Sequence, residues 1–279
     1  MKNTVRQRDH QRRQGFANRF SLARLAYRRR DVGMSEAAHS HENLESSLSE
    51  RGMRSQHLAD AVLGATDGVV TTFAVVAGAA GASLSAGIVL IMGFANLLAD
   101  GLSMAVSNYL GARSQQDAWA EERQREIWEV EQLPEAEREE IRRIYQRKGF
   151  EGEILERIVA TITADKERWV DEMMREELGI QEERIAPLAS GLVTFAAFVA
   201  AGFLPLVSYV LAFLGFSLSA STFTISLGVT MAALFGVGAA RCFMTHRPWW
   251  QSGLEILGLG GLAAAGAFTV GRLLQGFVG

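Results

Sequence analysis

Two aspartates lie deep inside long apolar stretches of the 279-residue chain, where a charged side chain is costly. Asp67 falls within the first stretch, and Asp100 falls within the second, four residues after Asn96. Residues four apart share a helical face, and Met104 continues the face of Asn96 and Asp100. Carboxylate, amide and thioether groups that face one axis can replace the water around a divalent cation, and the soft thioether favours a transition metal such as Fe²⁺. The alternative is that these groups hydrogen-bond neighbouring helices and that Met104 is ordinary packing.

A second set of candidate metal ligands lies in the charged block at residues 113–185. It comprises eight side chains on three predicted helices: Glu122, Glu126, Glu129, Glu137, Glu140, Met173, Met174 and Glu177. On the first two helices the glutamates recur at spacings of three and four, so their carboxylates share a face, and on the third Met173, Met174 and Glu177 can converge in the same way. Carboxylates from several helices facing one another make a site for hard and borderline divalent ions. The alternative is a solvated acidic face whose glutamates pair with the nearby arginines, Arg123, Arg125, Arg138 and Arg142.

The sequence lacks the residues that several other kinds of functional site require. The one cysteine, Cys242, excludes an internal disulfide framework and a Cys-rich zinc site. The sequence contains neither a His-x-x-x-His pair nor a phosphate-binding Gly-x-x-x-x-Gly-Lys loop. His39 and His41 lie in a segment that resembles a linker, so we expect them to be solvated. We therefore expect no enzyme activity and no prosthetic group, and any uphill transport would draw on an ion gradient.

Charge is distributed very unevenly along the chain. Lys plus Arg is 28 and Asp plus Glu is 31, and a net charge of −3 argues against a nucleic-acid-binding protein. Residues 1–57 carry 12 of the cations, and residues 113–185 carry 13 cations and 21 anions. The remainder has only seven charged residues: Arg241, Arg247, Arg272, Asp60, Asp67, Asp100 and Glu255. Helices without a polar face do not stay in water, so a wholly soluble protein is excluded.

The apolar stretches predict an all-α, polytopic membrane protein with five spans. A bilayer core of about 30 Å needs roughly 20 helical residues. Five runs meet this length, at about 58–80, 86–110, 186–211, 216–240 and 253–275. Their many glycines and alanines allow close packing of helices within a membrane. The predicted organisation is a basic, partly disordered segment (1–57), two spans (58–112), a helical domain (113–185) and three spans (186–279).

Sequence signals also predict the helices of the 113–185 domain. Residues 118–131 are mostly helix formers, and Pro134 begins a second helix with acids in its first turn. Gly149 and Gly152 indicate a turn, and a third helix is predicted from about 153 to 178, ending at Gly179.

Flanking cations predict the orientation of the spans. Residues 1–57, residues 113–185 and the link at 241–251 all carry Lys or Arg, and an even number of spans separates them. The other links, near 81–85 and 212–218, have no charge. Positively charged links favour the cytoplasmic side, so these three segments are predicted to be cytoplasmic and the C-terminus to lie on the far side.

Several motifs resemble those of the vacuolar iron transporter family, which includes the yeast calcium-cross-complementing transporter. The resemblance covers roughly residues 56–279. The first-span signature is similar to Asp-Gly-Val-Val-Thr-Thr-Phe-Ala at 67–74, and the second-span signature to Ala-Asp-Gly-Leu-Ser-Met at 99–104 with Asn-Tyr-Leu at 108–110. The start and the last helix of that family's cytoplasmic metal-binding domain resemble residues 122–131 and 168–177.

The resemblance implies a homodimer that exports Fe²⁺ or Mn²⁺ from the cytosol, by exchange for protons. The family's translocation path between subunits matches Asp67 and Met104, and its cytoplasmic ligands match seven residues: Glu126, Glu129, Glu137, Glu140, Met173, Met174 and Glu177. Plant members carry a Glu at the position of Asn96 and a small residue at that of Asp100, so the carboxylate is shifted by one helical turn here. The implied location is the inner membrane for a bacterial chain, or a vacuolar or other endomembrane for a eukaryotic one.

Two other functions compete with transport. The chain could be a membrane-anchored metal buffer or sensor, in which the acidic domain binds ions and the spans only anchor it. A mere anchor has no need of Asp67 and Asp100, which favours transport. The third function, a ferroxidase, is disfavoured because residues 113–185 contain no His and so lack the Glu-x-x-His pattern of di-iron bundles.

Overall fold

The computed structural model of the protein describes residues 44–179, 186–216, 221–243 and 247–278. The chain divides into two units, Met1–Arg54 and Ser55–Gly279, and every candidate site residue belongs to the second. The regular elements in the described ranges are helical, which confirms the all-α prediction. Most of the predicted basic segment at 1–57, including His39 and His41, lies outside the described residues.

Nine α-helices follow one another along the described residues. They are α1 (Leu44–Gly81), α2 (Ala86–Gln132), α3 (Pro134–Arg147), α4 (Gly152–Thr163), α5 (Lys166–Glu176), α6 (Pro187–Gly202), α7 (Val207–Phe213), α8 (Thr222–Ala240) and α9 (Trp249–Val278). Short 3₁₀ helices cover Leu204–Leu206 and Arg241–Phe243.

Five segments of the described residues are long and apolar enough to cross a bilayer, which confirms the five predicted spans. They fall within Gln56–Gly81, Ala86–Gln132, Pro187–Phe213, Thr222–Ala240 and Trp249–Gly276. The protein is therefore a multi-pass membrane protein. The helix of the fourth span begins at Thr222 rather than near 216, because the Ser221 hydroxyl caps it by accepting a 3.2 Å hydrogen bond from the Thr224 N–H.

The second span continues without a break into the acidic block. Helix α2 has 47 residues, and at 1.5 Å per residue it is about 70 Å long, more than twice the thickness of a bilayer core. Its first half carries Asn96, Asp100 and Met104, and its second half carries Glu122, Glu126 and Glu129. One rigid element thus joins the two sets of candidate ligands.

The third span is interrupted, whereas the sequence pattern predicts one continuous run at about 186–211. Helix α6 ends at Gly202, a 3₁₀ turn covers Leu204–Leu206, and α7 continues to Phe213. Pro205 lies in this turn, and a proline has no N–H to donate to the preceding turn of an α-helix. The Ser226 hydroxyl of α8 donates a 2.6 Å hydrogen bond to the Pro205 carbonyl, so part of the interrupted backbone is satisfied by a neighbouring helix.

Small residues bring the spans into backbone contact. A Cβ at Gly68 of α1 would lie 2.3 Å from the Phe198 carbonyl oxygen of α6, and one at Gly202 would lie 2.7 Å from the Gly68 carbonyl oxygen. Close approach of this kind gives van der Waals contact without a hydrophobic driving force. The packing of α1 on α6 therefore fixes the helix that carries Asp67.

The helices between the second and third spans pack around their own apolar core. The second half of α2 contacts α3 and α5, and α4 contacts both α3 and α5. Buried residues of this core include Val130, Ile141, Val159, Val170 and Met173. Helix α3 begins at Pro134 as predicted, and Gly149 and Gly152 have φ values of +93° and +59°, which only glycine adopts readily.

The predicted third helix at 153–178 is wrong in one respect, because it consists of two helices. Helix α4 ends at Thr163, and α5 begins at Lys166. Asp165 adopts an extended conformation, and its carboxylate accepts a 2.8 Å hydrogen bond from the Arg168 N–H. This N-cap starts a new helix, and the change of direction lets α4 and α5 pack against each other.

Candidate functional site

The two aspartates predicted to lie at bilayer depth come from neighbouring spans. Asp67 lies on α1 and Asp100 on α2, and their carboxylates are close enough to interact electrostatically. Both side chains are half-buried. Two carboxylates of adjacent helices at this depth can share one divalent cation, which offsets the cost of their charge.

Asn96 lies beside the helical turn that follows Asp67. Its side-chain amide lies 3.5 Å from the hydroxyl oxygens of Thr71 and Thr72. The Thr71 hydroxyl in turn donates a 2.9 Å hydrogen bond to the Asp67 backbone carbonyl. Asn96 therefore faces α1, and its role in a translocation path with Asp67, Asp100 and Met104 stays a prediction.

Met104 packs against the apolar cluster of the membrane core. This cluster contains the buried residues Leu97 and Phe198, and Met104 is a half-buried residue at its edge. The contact agrees with ordinary packing, the alternative weighed for this side chain. A role of the thioether as a ligand stays a prediction.

A polar cluster that was not predicted from the sequence lies near the start of the first span. The Asn108 side-chain amide of α2 donates hydrogen bonds to Asp60 Oδ1 at 2.9 Å and to Thr194 Oγ1 at 2.7 Å. Asp60 is 7% exposed, and its Oδ2 lies 3.8 Å from His57 Nδ1. The available signal was spacing, since Asp60 precedes Asp67 by seven residues and so shares its helical face.

The glutamates of the helical domain differ greatly in exposure. Glu126 of α2 is 1% exposed and Glu137 of α3 is buried. Glu126 Oε2 and Glu137 Oε2 have no hydrogen-bond partner among the described residues. Glu129 and Glu140 are half-buried, whereas Glu177, just after α5, is more exposed. A solvated acidic face does not bury two carboxylates, so the burial favours the ligand interpretation.

The glutamates of the helical domain lie within electrostatic range of one another. Burial, together with repulsion from the carboxylates of Glu140, Glu126, Glu129 and Glu177, raises the pKa of Glu137 to about 7. Partial desolvation and the carboxylates of Glu140, Glu126 and Glu129 raise the pKa of Glu177 to about 7, although Arg125 opposes the shift. In the described parts of the chain, no three His, Cys, Asp or Glu side chains are already gathered closely enough to hold an ion. An ion would therefore have to draw the carboxylates together.

Met173 and Met174 belong to the core of the helical domain. Both are buried and pack with Ile141, Val170 and Trp169. They lie in the last turns of α5, and Glu177 follows directly after this helix, so the two methionines precede Glu177 by only four and three residues. Their role as ligands stays a prediction.

Most arginines near the candidate ligands form ion pairs with other acidic residues. Arg123 pairs with Asp171, Arg138 with Glu135, and Arg142 with Glu139 and Glu156. None of these acids is a candidate ligand. Arg125 differs, because its guanidinium lies 2.9 Å from Glu122 Oε2, 3.3 Å from Glu126 Oε1 and 3.8 Å from Glu129 Oε2.

Comparison with known proteins shows which family the chain belongs to. The family model described as the VIT family matches residues 58–272. A vacuolar iron transporter of Toxoplasma gondii is 37% identical over 269 residues, which cover 92% of this chain and 89% of the relative. Vacuolar iron transporter 1 of Arabidopsis thaliana is 33% identical over 77% of this chain and 85% of its own, and the vacuolar iron transporter of Plasmodium falciparum is 31% identical over 91% and 95%. With five spans and a match over most of its length, the chain belongs to the VIT family.

Proposed function

We propose that the protein is a transmembrane transporter that exports Fe²⁺, Mn²⁺ or both from the cytosol by exchange for protons, and so serves metal homeostasis. The observation that carries the proposal is the pair Asp67 and Asp100, two carboxylates of adjacent spans within electrostatic range of each other. An anchor has no need of such a pair at bilayer depth. Relatives named vacuolar iron transporter support the choice of metal.

Charge balance explains how such a pair couples metal to protons. Two carboxylates at bilayer depth need compensation of their charge, which either protons or one divalent cation can supply. A site that holds protons when it opens to one side and a divalent cation when it opens to the other exchanges the two. In this proposal Asp67 and Asp100 hold the ion, Asn96 contributes its amide oxygen, and Met104 contributes a soft ligand that favours Fe²⁺.

A second copy of the chain completes the proposed path. Asp67 and Asp100 are only half-buried within one subunit, and a partly exposed carboxylate facing lipid is unfavourable. Next to Asn96 and Asp100, an exposed stripe of small residues runs along α2 at four-residue spacing: Ala95, Ala99, Ser103 and Ser107. Such stripes allow two helices to pack closely. These features support a homodimer with the path between its subunits.

The helical domain is proposed to bind the cargo before translocation. Its ligands are the eight residues predicted from the sequence: Glu122, Glu126, Glu129, Glu137, Glu140, Met173, Met174 and Glu177. Carboxylate oxygens suit Mn²⁺ and Fe²⁺, and the methionines would favour Fe²⁺. With the cation-bearing segments in the cytosol, the domain faces the compartment from which the metal is taken. The names of the relatives support a vacuolar or other endomembrane location.

Metal and proton flux in sealed proteoliposomes tests the proposal. Fe²⁺, Mn²⁺, Zn²⁺ and Ca²⁺ are added outside in turn, and a pH-sensitive dye is trapped inside. For molecules whose cytoplasmic side faces outward, we expect Fe²⁺ or Mn²⁺ to enter while the interior becomes more alkaline, and Ca²⁺ to enter much less. Metal binding to the protein without entry into the vesicles would instead indicate the alternative, a membrane-anchored buffer or sensor.

A further inference from the structure

Arg125 is the one cation of the helical domain, among the described residues, that forms ion pairs with candidate ligands. Its guanidinium reaches Glu122, Glu126 and Glu129, which are spaced along one face of α2. Glu126 is 1% exposed, whereas the Arg125 side chain is 48% exposed. The cation thus covers the buried carboxylate from the solvent side and is free to swing away into water.

The other ion pairs among the described residues of the helical domain do not involve Glu122, Glu126 or Glu129. Arg123, Arg138 and Arg142 bind acids outside the candidate set. The other ion pairs among the described residues of the domain do the same: Arg113–Asp117, Lys148–Glu176, Arg157–Glu153, Lys166–Glu131, Arg175–Glu172 and Arg175–Glu176. Arg143 pairs with Glu139. Among the described residues, a single positive charge therefore faces a group of carboxylates that repel one another.

We propose that Arg125 is a built-in counter-cation that occupies the acidic cluster until a divalent cation displaces it, and that it thereby sets the affinity of the domain for its cargo. The proposal rests on the proposed function, in which these glutamates bind the ion. The guanidinium N–H groups and a divalent ion compete for the same carboxylate oxygens of Glu122, Glu126 and Glu129. Two cations in one cluster also repel each other, so binding of the metal requires Arg125 to leave.

Displacement has a functional consequence for a transporter. A cluster of bare glutamates would hold a divalent cation tightly and release it slowly. With Arg125 returning to the carboxylates as the ion leaves, release is assisted, and the metal-free domain keeps part of its charge compensated. Arg125 is in this sense an affinity-setting residue and not itself a ligand.

The test compares Arg125→Gln with Arg123→Gln in the full-length protein in detergent. Both variants remove one positive charge from the same stretch of α2, but Arg123 pairs with Asp171 instead of a candidate ligand. Binding of Mn²⁺ is measured at pH 7.5 by the electron paramagnetic resonance signal of the free ion. We expect Arg125→Gln to bind Mn²⁺ about tenfold more tightly than the parent, the order expected when three part-exposed ion pairs no longer have to be broken. Arg123→Gln should stay within about twofold, because the partner of Arg123, Asp171, is not a candidate ligand and no ion pair of Arg123 has to be broken when the metal binds.

Two further measurements separate displacement from a structural role. Arg125→Lys keeps the charge and should bind Mn²⁺ like the parent, and Arg125→Ala should bind like Arg125→Gln. Without metal, Arg125→Gln should unfold at a lower temperature than the parent, and saturating Mn²⁺ should remove the difference. Equal affinity in Arg125→Gln, Arg125→Ala and the parent would overturn the role of Arg125 alone. A parent and variants that all fail to bind Mn²⁺ at the domain would overturn the proposed metal-binding function and this inference with it.

Discussion

Asn108 donates a 2.9 Å hydrogen bond to Oδ1 of Asp60, 48 residues earlier in the chain, and so joins the second span to the first. The same amide reaches Thr194 Oγ1 of α6 at 2.7 Å. We expect Asn108→Ala to lower the free energy of unfolding by about 1–2 kcal/mol, since one interhelical bond in a membrane contributes about 0.6 kcal/mol and a buried carboxylate loses its partner. Thermal unfolding in detergent measures this. Asn96→Ala, whose contacts are 3.5 Å long, should have a smaller effect, and an equal effect would contradict the prediction.

Replacement of Asp67 tests the membrane site. Asp67→Asn removes the charge that compensates a bound cation. We therefore expect metal flux into proteoliposomes to fall by at least about tenfold, which corresponds to a transport barrier that is about 1.4 kcal/mol higher. Metal binding by the helical domain should be unchanged. Asp100→Asn should weaken flux or uncouple it from protons. As a control, Asp117→Asn changes an exposed aspartate that pairs with Arg113 at 3.2 Å, and it should transport normally. Normal transport in Asp67→Asn would exclude the mechanism.

Met104→Leu tests whether the thioether selects the metal. Leucine keeps the apolar volume that packs against the membrane core, but it cannot act as a ligand. We expect Fe²⁺ flux to fall several-fold relative to Mn²⁺ flux, because a harder ion gains less from sulfur. Competition between the two metals in proteoliposomes gives the ratio. An unchanged ratio would assign Met104 to packing only.

The carboxylates of α2 should dominate metal binding by the helical domain. In the full-length protein, we expect Glu126→Gln combined with Glu129→Gln to weaken Mn²⁺ binding by at least about tenfold, since two charged oxygen ligands are lost. Calorimetry measures the change. Glu135→Gln combined with Glu153→Gln is a matched control, because these two side chains are 83% and 85% exposed. Equal binding by both double variants would mean that the acidic face is merely solvated.

The raised pKa values of the helical domain predict how stability changes with pH. The pKa of Glu137 is about 7 in the folded protein, against an ordinary value of 4.5. Between these values the folded state binds more protons than the unfolded state, so the stability of the metal-free protein falls as pH rises through about 4.5 to 7. We expect a lower melting temperature at pH 7.5 than at pH 5.5, and a stabilisation by Mn²⁺ that grows with pH. Glu137→Gln should flatten the decline, while Glu153→Gln should leave it unchanged.

Length and charge distribution were sufficient to predict the five spans and the helical segment between the second and third. The length of an apolar segment and the positions of the charged residues can be read from the linear chain. These two properties determine which segments can span a bilayer core. Local signals also located the start of α3 at Pro134 and the turn at Gly149 and Gly152. The sequence also marked Asp67 and Asp100 as unusual, because a carboxylate in an apolar run has no ordinary explanation.

Only the tertiary structure decided which charged groups of different helices meet. Arg123 and Arg125 are two residues apart on α2, and helical spacing offers both of them glutamates of the same helix: Glu126 for Arg123, and Glu122 and Glu129 for Arg125. Two residues in an α-helix differ in direction by about 200°, and the position of α5 places Asp171 beside Arg123 while Arg125 stays among Glu122, Glu126 and Glu129. The hydrogen bonds of Asn108 to Asp60 and Thr194 likewise depend on the packing of three spans. Contacts between residues far apart in the chain are set by how helices pack, which short-range spacing does not encode.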